Sequence, residues 1–348
     1  MTAPASSAMP APASAPALLV RGLSLAFEGR GGALPALEDV SFDVAPGEIV
    51  GLVGESGSGK SIALRSILRL LPENARVGGR VEWRGRDLAA LKPAEMRALR
   101  GGEIAMIFQE PMTALNPVLT VGVQIEESLR EHTRLTRSGR RARMVELMRL
   151  VGIPEPERRL ADYPHQFSGG MRQRAMIAIA LAGAPKLLLA DEPTTALDVT
   201  IQDQILKLIL DLKERLAMSV LFVTHDLGVV AALCDRVAVM YSGRIVETGP
   251  VGAVFAAPRH AYTRGLLGSV PRGGGERSML TAIEGAPPAL GARPEGCAFH
   301  PRCGFATDLC RRERPALAEA RPGHAAACWH QDAVAAADPE HRASEARA

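Results

Sequence analysis

The sequence predicts an α/β fold built on a parallel sheet with helices on both faces. Three observations carry that expectation. Short apolar runs alternate with longer stretches of helical periodicity, as in βαβ units. One run, residues 48–53, passes straight into the glycine-rich turn Gly54-Glu55-Ser56-Gly57-Ser58-Gly59-Lys60-Ser61. A second, Leu187-Leu188-Leu189-Ala190, ends in the acidic pair Asp191-Glu192. Ligand-binding groups in parallel sheets gather at the carboxyl ends of strands, which is where both features fall.

The elements follow in order. Strands are expected over 18–27, 40–44 and 48–53, then a helix over 61–71. From 111 to 166 the pattern turns helical, with Val145, Leu147, Met148 and Val151 interleaved with arginines, and reads as an inserted helical subdomain. A helix from Gly169 to about Leu181, a buried strand over 187–190, a helix near 201–216 and a strand over 219–223 complete the alternation. After Gly249 the regular pattern fades, and the Pro/Gly-rich residues 271–296 read as the entry to a separate appendage.

At 348 residues the chain is long enough for about two domains and for a core that needs neither metals nor disulfides. Its 41 basic and 38 acidic residues leave a charge of +3, which calls for no nucleic-acid partner. The densest basic stretch, 130–143, holds six arginines against one glutamate and reads as a solvated face of the helical subdomain. No apolar stretch reaches the roughly 18 residues of a membrane span. The best candidate, 175–190, is broken by Gly183, Pro185 and Lys186. Residues 1–17 lack the basic and apolar regions of a secretory signal and read as a disordered leader; the Ala-rich residues 331–348 read as a disordered tail. Of five cysteines, Cys297, Cys303, Cys310 and Cys328 fall within 32 residues, and Cys234 beside a predicted strand reads as apolar packing. Without an export signal, a disulfide framework is not expected.

The turn at 54–61 satisfies G-x-x-x-x-G-K-[ST] between a strand and a helix, the context a P-loop requires. Its glycines let consecutive N–H groups curl toward phosphate oxygens, with the next helix adding its positive end. Lys60 is expected at the β- and γ-phosphates, and the Ser61 hydroxyl at Mg²⁺. Asp191 fits a Mg²⁺-holding role, and Glu192 is placed to polarise an attacking water. Between them, Phe167-Ser168-Gly169-Gly170-Met171 opens a helix whose N-terminus suits a second anion.

That element, some 20 residues before Asp191-Glu192, resembles the signature motif of ATP-binding cassette (ABC) ATPases. Gln109 resembles the Q-loop glutamine, Thr195-Ala196-Leu197-Asp198 the D-loop and His225 the switch histidine. The resemblance covers about residues 18–249, departing from the commonest signature at Phe167, where leucine is usual, and Met171, where glutamine is usual. It implies an α/β P-loop NTPase of the ABC ATPase type, with a nucleotide-binding domain over 18–260. It also implies ATP and Mg²⁺ as ligands. Phe27 would stack on adenine, with 54–61, Ile62 and Gln109 around the nucleotide and Ser61, Gln109 and Asp191 around Mg²⁺. Glu192 and His225 would be catalytic. Ser168, Gly169, Gly170 and Met171 would act on the ATP of a partner, with Asp198 in the D-loop. One P-loop and one signature per chain imply a dimer with a second ATPase subunit, identical or related.

Further local patterns narrow the resemblance. The stretch Gln109-Glu110-Pro111-Met112-Thr113-Ala114-Leu115-Asn116-Pro117 is similar to the ATPase subunits of bacterial oligopeptide and dipeptide importers, a group that includes nickel and glutathione importers. So are His260-Ala261-Tyr262-Thr263-Arg264, Gly285-Ala286-Pro287-Pro288 and Gly296-Cys297-Ala298-Phe299-His300-Pro301-Arg302-Cys303. Residues 261–330 would then be that group's small, cysteine-containing C-terminal region. The resemblance implies two transmembrane permease subunits, an extracytoplasmic solute-binding protein and a place on the cytoplasmic face of the cell membrane. Members of the group carry an iron–sulfur cluster there, so a [4Fe-4S] cluster on Cys297, Cys303, Cys310 and Cys328 is implied. The spacing, with no C-x-x-C pair, equally leaves open a zinc site using His300, His324 or His330, or plain thiols. The alternative functions are a nickel or glutathione importer ATPase, or a soluble non-transport ABC ATPase. The soluble class usually has two cassettes or a long coiled-coil insertion, and this sequence has neither.

Overall fold

The apolar runs form strands whose side chains divide among three cores. The computed structural model describes residues 15–29, 32–110, 114–195, 197–269 and 283–337. Strand β1 (Leu18–Gly29) pairs antiparallel with β2 (Gly32–Val44) on one side and β4 (Ala75–Trp83) on the other. With β5 (Arg86–Asp87) these make a four-stranded sheet. The second sheet is larger. Its parallel centre comprises β3 (Ile49–Val53), β6 (Ile104–Ile107), β7 (Leu187–Asp191), β8 (Ser219–Thr224) and β9 (Arg236–Tyr241), in the order β9-β3-β8-β7-β6.

Every residue of β3, β7 and β8 is buried, as expected of parallel strands covered on both faces. Their period-two alternation sorts the side chains. Val220 and Phe222 of β8 join a core formed with the helices Val121–His132, Arg137–Leu150, Gly169–Ala180 and Val199–Leu216. Leu221 and Val223 join a core with the antiparallel sheet and the helix Lys60–Ile67. The first two helices of the 121–166 region begin at threonines: Thr120 accepts from the Val123 N–H, and Thr136 from the Gly139 N–H. Their arginines are partly paired, Arg140 with Glu126 at 3.1 Å and Arg143 with Glu146 at 2.8 Å. Among the described residues, no helix is long and apolar enough to cross a membrane.

Several expectations need correction. The sheet is not purely parallel, because β10 (Arg244–Pro250), β12 (His324–Ala326) and β11 (Ala318–Arg321) extend it past β9 as an antiparallel edge. The cysteine-bearing region is therefore no separate appendage: its hairpin is part of the main sheet. Regular structure continues beyond Gly249, with helices Val251–Ala256 and Ala261–Gly268 too short to show a clear period. The helix expected over 61–71 stops at Ile67, with Arg69 at a φ of 53°. At the start of the chain, Ala17 is already in the fold, its N–H donating to the Val44 carbonyl at 2.8 Å; residues 1–14 of the expected leader lie outside the described residues. Gln331–Ala336 form a helix that buries Val334 and Ala335, so the expected tail does not begin at Gln331; residues 338–348 lie outside the described set, as do 270–282.

Two predictions follow from packing and charge. Gly183 has room for no side chain, since a Cβ there would lie 2.1 Å from the Gly101 carbonyl oxygen. Gly183→Ala should destabilise the fold by about 1–3 kcal/mol in urea unfolding, the usual cost of overpacking. Glu38 of β2 accepts hydrogen bonds from Arg293 and Arg314, both at 2.8 Å, and from Arg244 at 3.2 Å. Burial pushes its carboxyl up, but the hydrogen bonds and charges of Arg244 and Arg314 prevail and bring it down to about 2 from an ordinary 4.5. A depressed carboxyl stabilises the fold fully above its unfolded value and loses that effect as pH falls toward 2. Thermal melts should show Glu38→Gln less stable than wild type at pH 7, with the gap closing as pH falls below about 4.5.

Candidate functional site

The site forms where β3 ends. Gly54 adopts a φ of 154°, Gly57 77° and Gly59 103°, conformations that let the chain turn back toward the helix Lys60–Ile67. Lys60 is buried within the turn, its Nζ donating to the carbonyls of Gly54 at 2.7 Å and Glu55 at 2.9 Å. Burial lowers the Lys60 pKa, opposed by the charges of Glu192, Asp191 and Glu55. Ser58 is also buried. Ser56, Gly57, Gly59, Lys60, Ser61 and Ile62 open onto a cleft of about 290 Å³. Its far walls include Phe27 at the end of β1, Gln109 beyond β6, and Glu192.

The strand order sets β8 beside β3 and β7 beyond β8, which brings the acidic pair to the same sheet edge. The Ser61 hydroxyl donates to Asp191 Oδ1 at 2.8 Å. Asp191 Oδ2 is buried with no hydrogen-bond partner, and burial raises this carboxyl's pKa, partly offset by Ser61 and the charge of Arg65. A buried, orphaned carboxylate oxygen next to a serine hydroxyl fits a hard divalent cation such as Mg²⁺. Glu192 sits at a φ of 45°, unusual for a side chain of its size. Three groups converge on its Oε2: Gln109 Nε2 at 3.0 Å, Thr195 Oγ1 at 2.9 Å and His225 Nδ1 at 3.3 Å. The arrangement can hold a polyphosphate, a cation and an oriented water within one cleft.

The signature segment lies elsewhere. No residue from Phe167 to Met171 lines the cleft of the P-loop. Ser168 caps the helix Gly169–Ala180, its side chain accepting from the Met171 N–H. The two departures are packing residues: Phe167 is buried, and Met171 packs against the same core. Gly170 has its Cβ position 2.8 Å from Ile201 Cγ2, and Gly169 faces Leu197 at 3.7 Å. Asp198 caps the helix Val199–Leu216 by accepting from the Ile201 N–H at 2.9 Å; Ala196 lies outside the described residues.

Sequence reading missed Arg65, Leu290, Tyr262 and Arg302. Arg65 lines the cleft one helical turn beyond Ser61, a spacing that could have revealed it. Leu290 lines the same cleft from beyond the undescribed segment, with no local pattern to announce it. The Tyr262 hydroxyl accepts from the Glu55 N–H at 2.7 Å, and Arg302 pairs bidentately with the Glu55 carboxylate at 2.7 and 2.9 Å. Sequence separations of 207 and 247 residues hide these contacts.

Cys297, Cys303, Cys310 and Cys328 do converge, on a cavity of only about 20 Å³, and all are free thiols. Burial raises the pKa of Cys297 and Cys303, and lifts Cys328 to about 11. Metal binding calls for thiolates. Among the described residues, no three Cys, His, Asp or Glu side chains are placed to hold a metal ion, so the iron–sulfur and zinc expectations find no support. The histidines are otherwise engaged. His324 contacts the buried Glu247 at 2.7 Å, His330 the Thr307 hydroxyl at 3.0 Å and His300 the Cys297 carbonyl at 3.0 Å. Cys234 behaves as expected of packing, its thiol pushed up to about 12 by burial.

Comparison with known proteins agrees with this geometry. The "ABC transporter" family matches residues 37–195, and "Oligopeptide/dipeptide transporter, C-terminal region" matches 246–310. A probable peptide ABC transporter ATP-binding protein, y4tR, of Sinorhizobium fredii is 55% identical over 318 residues, covering 90% of this chain and 95% of that one. The dipeptide transport ATP-binding protein DppD of Bacillus subtilis is 49% identical over 317 residues, 90% of this chain and 95% of its own. Among solved structures, the dimeric post-hydrolysis ATP-binding cassette MJ0796 bound to ADP and Pi superposes with a TM-score of 0.61. It is 30% identical and covers 67% of this chain and 98% of its own. The chain belongs to the ATP-hydrolysing, ATP-binding proteins of ABC transporters, in the branch that carries the oligopeptide/dipeptide transporter C-terminal region.

Proposed function

We propose that this chain powers import of di- or oligopeptides, docked on the cytoplasmic face of the cell membrane against two permease subunits and served by an extracytoplasmic solute-binding protein. The convergence of Gln109, Thr195 and His225 on one oxygen of Glu192, beside Ser61 and Asp191, is the observation that carries the hydrolytic reading. The C-terminal match and the naming of the relatives as peptide, dipeptide and oligopeptide transport proteins support the substrate class.

In this reading the N–H groups of the 54–61 loop and Lys60 bind the β- and γ-phosphates, and Phe27 stacks on the base. Ser61 and Asp191, with Gln109, hold Mg²⁺, which supplies charge neutralisation on the phosphate oxygens. Glu192 orients and deprotonates the attacking water, its carboxylate kept in place by Gln109 and Thr195. His225 contacts the γ-phosphate while restraining Glu192. The segment Ser168-Gly169-Gly170-Met171 completes the site of a second subunit, identical or related, because it lies away from this chain's own cleft. ATP bound between two such subunits favours their closed state only by its differential affinity, which hydrolysis removes.

Glu192→Gln should keep ATP binding and lower kcat by about 10²–10⁴-fold, measured as steady-state phosphate release alongside nucleotide affinity. Asp191→Asn should weaken Mg²⁺-dependent nucleotide binding more than Mg²⁺-free binding, seen by titrating Mg²⁺ at fixed ATP. The substrate class is tested by co-expressing the chain with its permease and ATPase partners and adding a loaded binding protein. Stimulation by a peptide-loaded form, lost in Glu192→Gln, is expected. Hydrolysis indifferent to every membrane partner would reject the importer reading, and stimulation by nickel or glutathione alone would reassign its substrate.

A further inference from the structure

The mechanism above leaves unused a buried cation that touches the phosphate loop from the far end of the chain. Arg302 lies in the turn His300–Arg302 between Cys297 and Cys303, its side chain only 6% exposed. Its guanidinium lies near the rings of Tyr241 and Phe299, 5.9 and 5.8 Å from their centroids. Nε donates to the Glu284 carbonyl at 2.9 Å, and Nη2 to the Gly285 carbonyl at 3.2 Å. The fork closes on both carboxylate oxygens of Glu55 at 2.7 and 2.9 Å. Such planar bidentate pairing fixes direction as well as charge.

Glu55 is the only acidic residue of the motif that binds phosphate. It is gripped at three points: its N–H by the Tyr262 hydroxyl, its carboxylate by Arg302 and its carbonyl by Lys60. The Tyr262 ring is itself buried, 4.6 Å from Tyr241 and 5.4 Å from Phe299 between ring centroids. Two of the three grips come from the C-terminal region. Released from Arg302, the carboxylate would stand unneutralised one residue from Ser56, where the loop opens onto the cleft, and would repel a bound triphosphate.

We propose that Arg302 is a positioning residue for the nucleotide site, holding and neutralising Glu55 so that the phosphate loop keeps its shape and admits a polyanion. The proposal rests on the ATPase reading, which nucleotide binding by the wild type tests separately. Arg302 touches no substrate and acts wholly through Glu55, with Tyr262 as the second anchor.

The test is ATP affinity of the full chain, measured with a fluorescent ATP analogue and Mg²⁺ and competed by ATP. Arg302→Ala should weaken binding by at least about tenfold, since truncating one member of a partly buried charge pair strands the other. Adding Glu55→Gln should recover most of that loss, because it removes the stranded carboxylate. A general loosening of the C-terminal region would not be relieved by that second change. Arg302→Lys keeps the charge without the fork and should give a smaller loss, again relieved by Glu55→Gln; this pair serves if the alanine variant does not fold. Tyr262→Phe, which preserves the ring, should also weaken ATP binding. Arg311→Ala, in the same region but away from Glu55, should leave affinity at the wild-type value. Wild-type affinity in Arg302→Ala, or a loss that Glu55→Gln leaves unchanged, overturns the proposal.

Discussion

The nucleotide site depends on one close approach of backbone to backbone. Where β3 ends, a Cβ on Gly54 would lie 2.1 Å from the Met240 carbonyl oxygen of β9, so only a glycine lets the two strands finish side by side. The approach is reinforced by the Gly243 N–H, which donates to the Ser58 carbonyl at 2.8 Å. Gly59 adds a second limit, with its Cβ position 2.8 Å from Leu37 of β2. The phosphate loop is thus seated against both sheets at once, and its shape is a property of the whole fold rather than of the loop's own sequence.

From that seat the chemistry follows by strand order. Placing β8 next to β3, and β7 next to β8, delivers Asp191 to Ser61 and Glu192 to His225, although these residues are far apart in the chain. The helix that follows Ser168 packs in a different core from the helix Lys60–Ile67, and no residue from Phe167 to Met171 lines the cleft of the P-loop. Residues at the departures from the usual signature, Phe167 and Met171, both pack against that core.

Much of the ATP site was legible because its chemistry is encoded locally. The loop 54–61, the Asp191-Glu192 pair and His225 each follow a buried strand, and burial of a parallel strand leaves a continuous apolar run that is easy to see. The antiparallel sheet was harder. The exposed Gly78 and Gly79 in β4 interrupt any alternation, and β5 spans only Arg86–Asp87. The C-terminal region was misread as separate because β12 is only three residues long and its pairing with β10 depends on Glu247, a buried carboxylate satisfied by His324 and by the N–H groups of Arg259 and His260. No period reveals such a polar knot. The cysteines invite a metal reading by their clustering, yet burial favours the protonated form of Cys297, Cys303 and Cys328, and His324 and His330 are otherwise engaged.

The span between Glu55 and Arg302 also orders events in time. A chain emerging from the ribosome presents its phosphate loop long before the residue that closes on Glu55, 247 positions later, has been made. Domains generally fold as synthesis proceeds, from the N-terminus. Here the last strands to be synthesised, β11 and β12, must add to the sheet edge beside β10, which brings the C-terminal region home. A polypeptide cut short before residue 302 would keep every ATPase motif and still lack the counter-charge at its phosphate loop, so intact motifs alone do not make an intact nucleotide site.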